Sequence, residues 1–183
     1  MLPRARAALA TAALIVIAGI SVSAVSASPT AHSQNVLTPL TALDAQILER
    51  INAERAQRGL APLHLSRRLR AGASFHSYEM ARAGFFSHAS LDGTPCPARL
   101  ARFYRSAGFS HWKVAETLLW DSGALDAGSA VRGWMTSPEH RSILLDPGLR
   151  DVGISAVRAS AASGTFQGAA ATLVTADFGA RYR

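Results

Sequence analysis

The sequence predicts an α+β fold in which helices cover an antiparallel sheet, and three observations carry that prediction. The chain has 183 residues, of which 49% are apolar and 17% charged, so it can bury a core. Helical patterns occupy the first part of the chain, and strand patterns are mixed with helices toward its end. Few strands are separated by long crossover helices, which argues against a doubly wound parallel sheet.

The first 27 residues have the pattern of a signal peptide. Two arginines precede an apolar run over residues 7–20, and a small-residue cleavage site ends at Ala27. The run of about 14 residues is shorter than the roughly 20 that a membrane-spanning helix needs, although an uncleaved anchor is the alternative. We therefore expect an exported protein, secreted or held in the cell envelope, with residues 28–40 as a flexible lead-in to a domain over residues 41–183.

A first helix is predicted over residues 42–58. Apolar residues recur there every four positions from Leu43, which places them on one helical face. Thr41 is the expected N-cap, and Asp44, three residues later, completes a capping-box pattern. This helix should pack one face against the core.

A second helix is predicted from its cap, Ser66, to about Ala83, where Gly84 supplies a left-handed end. Its apolar stripe includes His76. A histidine on such a stripe is more often a hydrogen-bonded core residue than a metal ligand, so we expect His76 to be buried and paired.

The second half of the chain alternates short helices and strands. Ser137 and Pro138 mark the start of one short helix, as a cap followed by a residue suited to the first helical position. The two last strands should pair as a hairpin around a small-residue loop over residues 160–168. The other predicted elements are helices over residues 97–106 and 125–135, and strands over residues 113–120, 152–156 and 172–178.

The charge pattern argues against nucleic-acid binding. The formal net charge is +7, but the basic residues are not interleaved with aromatic ones as a nucleic-acid surface requires. The one dense basic run is Arg67-Arg68-Arg70, at the start of a helix. A generally positive surface can still favour anionic lipid or anionic wall polymers.

The single cysteine, Cys96, excludes an internal disulfide. The fold must therefore rest on packing. We expect Cys96, between two prolines, to be a half-buried small apolar residue rather than a nucleophile.

Five segments, taken in order, resemble the CAP superfamily, the SCP-like proteins that include cysteine-rich secretory proteins, antigen 5 and pathogenesis-related 1. The match is with the bacterial branch, which lacks disulfides, and it covers nearly all of residues 41–179. It implies a three-layer α/β/α sandwich with a central antiparallel sheet. The segments are Ile51–Arg55 with Gly59–Leu63, His76-Ser77 with Met80-Ala81, Gly84–His88, Trp134–Arg141, and Asp151–Ile154 closed by Asp177–Gly179.

The resemblance implies a cleft formed by His88, Glu116 and His140. Two imidazoles and a carboxylate are a common set of zinc ligands that leaves one position open. The segment around Glu116 reads Ala-Glu-Thr where the family has Gly-Glu-Asn, and the family's second cleft glutamate has no clear counterpart. We expect zinc or another divalent metal at these three residues, with the position of His140 near a helix N-terminus lowering its pKa.

Two tryptophans, Trp120 and Trp134, are candidates for a ligand groove. Burial in the core is the alternative for both, since large aromatic side chains more often pack there.

The function predicted from these residues is that of a secreted, monomeric binding module. Its cleft would hold a divalent metal and its groove an apolar or cell-wall-derived ligand, as the family resemblance implies. One alternative is a metal-assisted hydrolase of peptidase type, although the ligand set leaves no separate general base. The other is an envelope interaction protein with an inactive cleft.

Overall fold

The computed structural model describes residues 34–183, which form three layers with helices on both faces of one sheet. The predicted signal peptide and residues 28–33 of the lead-in lie outside this range. In chain order the elements are β1 (Leu37–Pro39), α1 (Thr41–Ala56), β2 (His64–Leu65), α2 (Arg67–Ala83), α3 (Cys96–Phe103), β3 (His111–Asp121), α4 (Ala127–Thr136), α5 (Pro138–Leu144), β4 (Asp151–Ala159) and β5 (Ala171–Tyr182).

The sheet has the strand order β1-β4-β5-β3, and β2 pairs with β4 beside β1. The three long strands are antiparallel neighbours, which confirms the predicted hairpin of β4 and β5. The short strands β1 and β2 both add to the outer edge of β4, and β2 is the one parallel pairing described. The strand β3 therefore lies at the opposite edge, with one side unpaired by this sheet.

Two helical layers cover the sheet, and this confirms the α/β/α sandwich. The helices α1, α4 and α5 pack with one another on one face, and α2 and α3 pack together on the other. Successive residues of β5 point to opposite faces. Val174 and Phe178 belong to the core under α1 and α4, whereas Leu173 belongs to the core under α2.

The backbone of α2 approaches the sheet closely at Gly153 of β4. A Cβ atom placed on Gly153 would lie 1.9 Å from the backbone nitrogen of Arg70, so only glycine fits. Gly72 of α2 faces the same region, where an added Cβ would lie 3.0 Å from a carboxylate oxygen of Asp177. The two glycines therefore allow α2 to cover the part of β5 that carries Asp177.

The predicted capping box of α1 is wrong. Thr41 is the first residue of the helix, and the cap is Leu40, which makes no side-chain bond. The carboxylate of Asp44 instead accepts a hydrogen bond of 2.6 Å from the backbone nitrogen of Ala156 and pairs with Arg70. A tertiary contact to β4 thus replaces the local one that the spacing predicts.

The caps of α2 and α5 are as predicted. Ser66 accepts from the nitrogen of Leu69, Gly84 takes the left-handed conformation, and Ser137 accepts from the nitrogen of His140. In contrast, residues 37–39 form β1 rather than a flexible lead-in. Among the described residues, no helix has both the length and the apolar character needed to cross a membrane.

Candidate functional site

The side chains of His88 and Glu116 are in direct contact. His88 lies in the loop that follows α2, and Glu116 lies in the middle of β3. The His88 Nδ1 atom is 2.8 Å from Glu116 Oε1. The Glu116 side chain is 1% exposed and that of His88 is 56% exposed. The pair therefore runs from the sheet to the surface.

Arg99 of α3 completes this arrangement from within. It is fully buried, and its Nη2 atom donates to Glu116 Oε2. Its Nη1 atom donates to the backbone oxygen of His88 at 2.8 Å and to Ser90 Oγ at 3.4 Å. One guanidinium thus joins β3 to the loop that carries His88. Arg99 was not among the residues expected from sequence.

Glu116 is ionised in this setting. Burial raises the pKa of its carboxyl, but the hydrogen bond from His88 and the charge of Arg99 outweigh burial and leave the pKa below its usual value. An ionised carboxylate can only accept, so the Nδ1 atom of His88 carries the hydrogen. In the neutral imidazole of His88, Nε2 is therefore the nitrogen with a free lone pair.

His140 lies in the other helical layer, within electrostatic reach of His88. It lies in α5, next to the capping Ser137, and is half-buried. Burial lowers its pKa, and so does repulsion from His88 when that imidazole is protonated. The pKa of His140 is lowered, as expected. The cause is burial and His88, whereas the helix N-terminus was expected from the sequence to lower it. At neutral pH the imidazole of His140 is therefore uncharged, the form that binds metal.

The structure brings His88 and Glu116 into contact and places His140 within electrostatic reach of His88, but the three side chains do not form a set of free metal ligands. Within residues 34–183, no group of three or more His, Cys, Asp or Glu side chains is arranged to hold a metal ion. Both oxygens of Glu116 already bind His88 and Arg99. Glu116 is therefore engaged by protein partners and is not a free metal ligand.

A second buried acid, Asp177 of β5, lies directly opposite Glu116 in the β3–β5 register. It is fully buried, neither of its carboxyl oxygens receives a hydrogen bond among residues 34–183, and the Glu116 carboxylate lies within hydrogen-bonding reach of it. Burial and the charge of Glu116 raise its pKa well above the usual value, which favours the protonated form. The sequence offered one signal for this residue, an acid in the middle of an apolar strand.

Two other residues near the site behave as the sequence predicts. His76 is fully buried and hydrogen-bonded, with its Nε2 atom 2.8 Å from the backbone oxygen of Ser87 and its Nδ1 atom 3.2 Å from Glu79. Cys96 is a free, partly buried thiol. Burial, and then the charge of Glu116, raise its pKa, so it is a poor nucleophile.

The two tryptophans differ in exposure. Trp134 is fully buried, and its Nε1 atom donates to the backbone oxygen of Leu118 at 3.1 Å. Trp134 is therefore a core residue, and a groove role for it is wrong because no part of its ring reaches the surface. Trp120 is 38% exposed and packs edge-on against Phe166, with ring centroids 5.1 Å apart.

An apolar cavity of about 550 Å³ opens on the outer side of α2, near the His88 loop. Phe75, Tyr78 and Leu91 line it, and Phe75 and Leu91 are 44% and 65% exposed. Glu79, at its wall, accepts a hydrogen bond from the backbone nitrogen of Leu91. The loop that presents His88 therefore also forms one wall of this cavity.

Comparison with known proteins agrees with the sandwich fold. Residues 48–178 match the sequence profile of the cysteine-rich secretory protein family, CAP. An uncharacterised protein of Bacillus subtilis, YkwD, is 29% identical over 136 residues, which is 72% of this chain and 50% of that protein. The matching region thus spans half the length of that relative.

Three solved structures share the fold. An extracellular protein with an SCP domain from Bacillus anthracis has a TM-score of 0.57 at 23% identity, over 78% of this chain and 41% of that one. An outer surface protein from Borrelia burgdorferi has a TM-score of 0.61 at 20% identity, over 80% and 99% of the two chains. A cysteine-rich secretory protein from Staphylococcus aureus has a TM-score of 0.53 at 19% identity, over 82% and 40%.

Proposed function

This chain belongs to the cysteine-rich secretory protein (CAP) family, and on that premise we propose that it is a secreted binding module whose ligand site is the cleft of His88 and His140. The signal-peptide pattern of residues 1–27 supports export. The similar proteins described as extracellular, outer-surface and secretory support it as well.

The observation that carries the proposal is the hydrogen bond between His88 Nδ1 and the ionised Glu116. It keeps the hydrogen on Nδ1 and leaves the Nε2 lone pair available to a ligand. Carboxylates that orient a metal-binding histidine in this way are a regular feature of metal sites. Arg99, in turn, holds both Glu116 and the His88 backbone. The site is therefore built to present one imidazole nitrogen in one state.

The ligand we propose for the two imidazoles is a divalent metal such as zinc. His88 and His140 would bind it directly, while Glu116 would support His88 from behind. A bound divalent ion would supply a positive charge and open coordination positions for an anionic or carbonyl group of a second ligand. Two protein ligands make a weak, exchangeable site.

We further propose that the second ligand has an apolar part that occupies the cavity of Phe75, Tyr78 and Leu91. This cavity shares the His88 loop with the cleft, and its aromatic lining suits an acyl or similarly apolar group. A lipid or a cell-wall-derived molecule with a polar head and an apolar portion fits both features. Trp120, the other aromatic candidate from the sequence, is 38% exposed on β3 and does not line this cavity.

Binding is favoured over hydrolysis for a specific reason. A metal-assisted hydrolase needs a general base next to the metal-bound water. Glu116 is the candidate for this general base that the sequence offers, yet both of its oxygens are engaged by His88 and Arg99. To act as a base it would have to release one of these partners.

Calorimetric titration of the exported protein with zinc tests the proposal. We expect saturable binding near one equivalent, weakened about tenfold or more in His88→Ala and in His140→Ala. His64→Ala is the matched control, since His64 is an exposed histidine in β2, and it should bind as the wild type does. Absence of saturable zinc binding by the wild type, or equal weakening in the control, would rule out the metal site.

A further inference from the structure

Four arginines line a cavity of about 440 Å³ between the start of α2 and the end of α3. The cavity is separate from the His88 cleft and shares no residue with it. Arg99 of α3 points into the cleft, whereas Arg102 lies on the outer side of the same helix. The lining residues are Arg67, Arg68, Ala71, Arg102, Phe103 and Arg105.

Among the described residues, no carboxylate belongs to this lining. The ion pairs formed within residues 34–183 use Arg58, Arg70, Arg99 and Lys113 among the Lys and Arg side chains, and none of the four cavity arginines. Asp92 lies within electrostatic reach of Arg102, but its carboxylate is bonded to the backbone nitrogen of Thr94. Four positive charges thus share one concave surface without a paired acid.

A further cation lies beside the rim. Arg181 of β5 donates to the backbone oxygen of Arg105 at 3.0 Å. Its guanidinium is stacked 3.8 Å from the centroid of the Tyr104 ring and 4.6 Å from that of Phe109. Stacking against these two rings fixes the position of the Arg181 guanidinium. Its charge therefore adds to the positive electrostatic potential at the end of α3.

The first turn of α2 adds to the electrostatic repulsion in this cavity when no anion is bound. A helix N-terminus carries a partial positive charge and favours acidic residues in its first turn. The 17-residue helix α2 has no acid there and carries Arg67 and Arg68 instead. Two of the cavity arginines therefore add to the charge of the helix end, a cost that a bound anion would remove.

We propose that this cavity binds a multiply charged phosphate group, as found in oligophosphates and in phosphate-bearing polymers or headgroups. The guanidinium fork matches phosphate oxygens in pairs, and four such forks in one cavity select an anion with more than one negative charge. The concave, acid-free lining also concentrates the field of the four arginines on the ligand.

Titration of the full exported protein with sodium tripolyphosphate tests the proposal. At about 50 mM salt we expect saturable binding, weakened at least tenfold in the double variant Arg68→Gln/Arg102→Gln because each charged contact to a phosphate contributes strongly. The matched control is Arg50→Gln/Arg141→Gln, which removes the same charge from exposed positions of α1 and α5. It should stay within about twofold of the wild type, and circular dichroism should show that both variants are folded.

A second arm distinguishes the sources of the phosphate. Vesicles rich in phosphatidylglycerol are sedimented with each protein, with and without tripolyphosphate. Vesicle binding that is lost in Arg68→Gln/Arg102→Gln and competed away by tripolyphosphate supports a lipid headgroup at the cavity. Tripolyphosphate binding without vesicle binding supports a soluble or polymeric phosphate. Equal weakening in the control pair, or no tripolyphosphate binding by the wild type, overturns the proposal.

Discussion

Glu116 and Asp177 lie directly opposite each other on the paired strands β3 and β5, and both carboxyl groups are buried. Their environments shift the pKa values of the two carboxyl groups in opposite directions. Glu116 receives hydrogen bonds from His88 and Arg99 and stays ionised, whereas Asp177 has no such donor among the described residues and is protonated. Two neighbouring buried acids therefore hold one negative charge, which is the arrangement that Coulomb repulsion favours.

The pH dependence of stability should report the protonated Asp177. Its pKa is raised in the folded protein, so the folded state holds a proton that the unfolded state releases above about pH 4. The free energy of unfolding contributed by Asp177 is therefore intact below that pH and is lost as the pH rises toward the folded pKa. Asp177→Asn keeps the shape without the proton. It should match the wild type near pH 4 and be more stable at pH 8, by about 1–3 kcal/mol.

Urea denaturation at pH 4, 6 and 8 measures this difference. Asp151→Asn is the control, because Asp151 is a partly exposed acid that accepts from the hydroxyl of Tyr104. Its difference from the wild type should not change sign in favour of the variant at high pH. A constant difference between wild type and Asp177→Asn across the range would mean that Asp177 is ionised throughout.

Loss of Arg99 should be severe because it would leave Glu116 as a buried charge held only by His88. We expect Arg99→Met to lower the free energy of unfolding by about 3–5 kcal/mol. The double variant Arg99→Met/Glu116→Gln should recover a large part of this loss, since no buried charge then remains. Arg102→Met, one turn further along α3 and exposed, should cost about 0.5 kcal/mol or less.

Denaturation curves of the wild type, Arg99→Met, Glu116→Gln and the double variant give the coupling energy between Arg99 and Glu116. Additive losses would show that the two side chains act independently, contrary to the contact seen here.

Much of the fold could be predicted from the sequence where the determinants are local. Ser66 and Gly84 bound α2 as predicted because cap chemistry depends on neighbouring residues. Strands β1 and β2 could not be predicted, since two or three residues carry no periodicity and both form only by adding to the edge of β4. The spacing of Asp44 from Thr41 predicted a helix cap. Its actual partner, the backbone nitrogen of Ala156, is 112 positions away, and no local pattern indicates such a contact.

In the candidate site as well, local motifs could be recognised from the sequence, whereas contacts between distant residues could not. The motif residues His88, Glu116 and His140 could be chosen by resemblance, and the structure places His88 and Glu116 in contact. Asp177 could not be paired with Glu116 because that needs the register of β3 against β5, which depends on tertiary packing.

Core packing by Trp134 gives a third prediction. The ring is fully buried between α4 and the sheet, and its nitrogen is bonded to Leu118. Trp134→Ala should cost about 3–5 kcal/mol of unfolding free energy, through lost burial and a cavity. Trp120→Ala should cost clearly less because that ring is 38% exposed. Urea denaturation compares the two, and losses of equal size would contradict this assignment of core and surface.

The tautomer of His88 provides the most direct test of the cleft. In the wild type the hydrogen lies on Nδ1, which donates to Glu116. In Glu116→Gln the guanidinium of Arg99 can only donate, so it should retain the side-chain oxygen and turn the amide NH₂ group toward His88. Nδ1 must then accept, and the hydrogen moves to Nε2. The lone pair that we assign to the metal is lost, so zinc affinity should fall about tenfold or more.

Nitrogen NMR of the histidine rings at pH 8 distinguishes these states, since protonated and unprotonated ring nitrogens have well-separated shifts. The wild-type spectrum should show a protonated Nδ1 and an unprotonated Nε2 for His88, and Glu116→Gln should exchange them. His64, exposed in β2, should be unchanged. If the tautomer exchanges while zinc affinity stays the same, His88 Nε2 is not a metal ligand. If the tautomer does not exchange, Arg99 does not control the orientation of residue 116, and the chain of contacts from α3 to the cleft has no functional consequence.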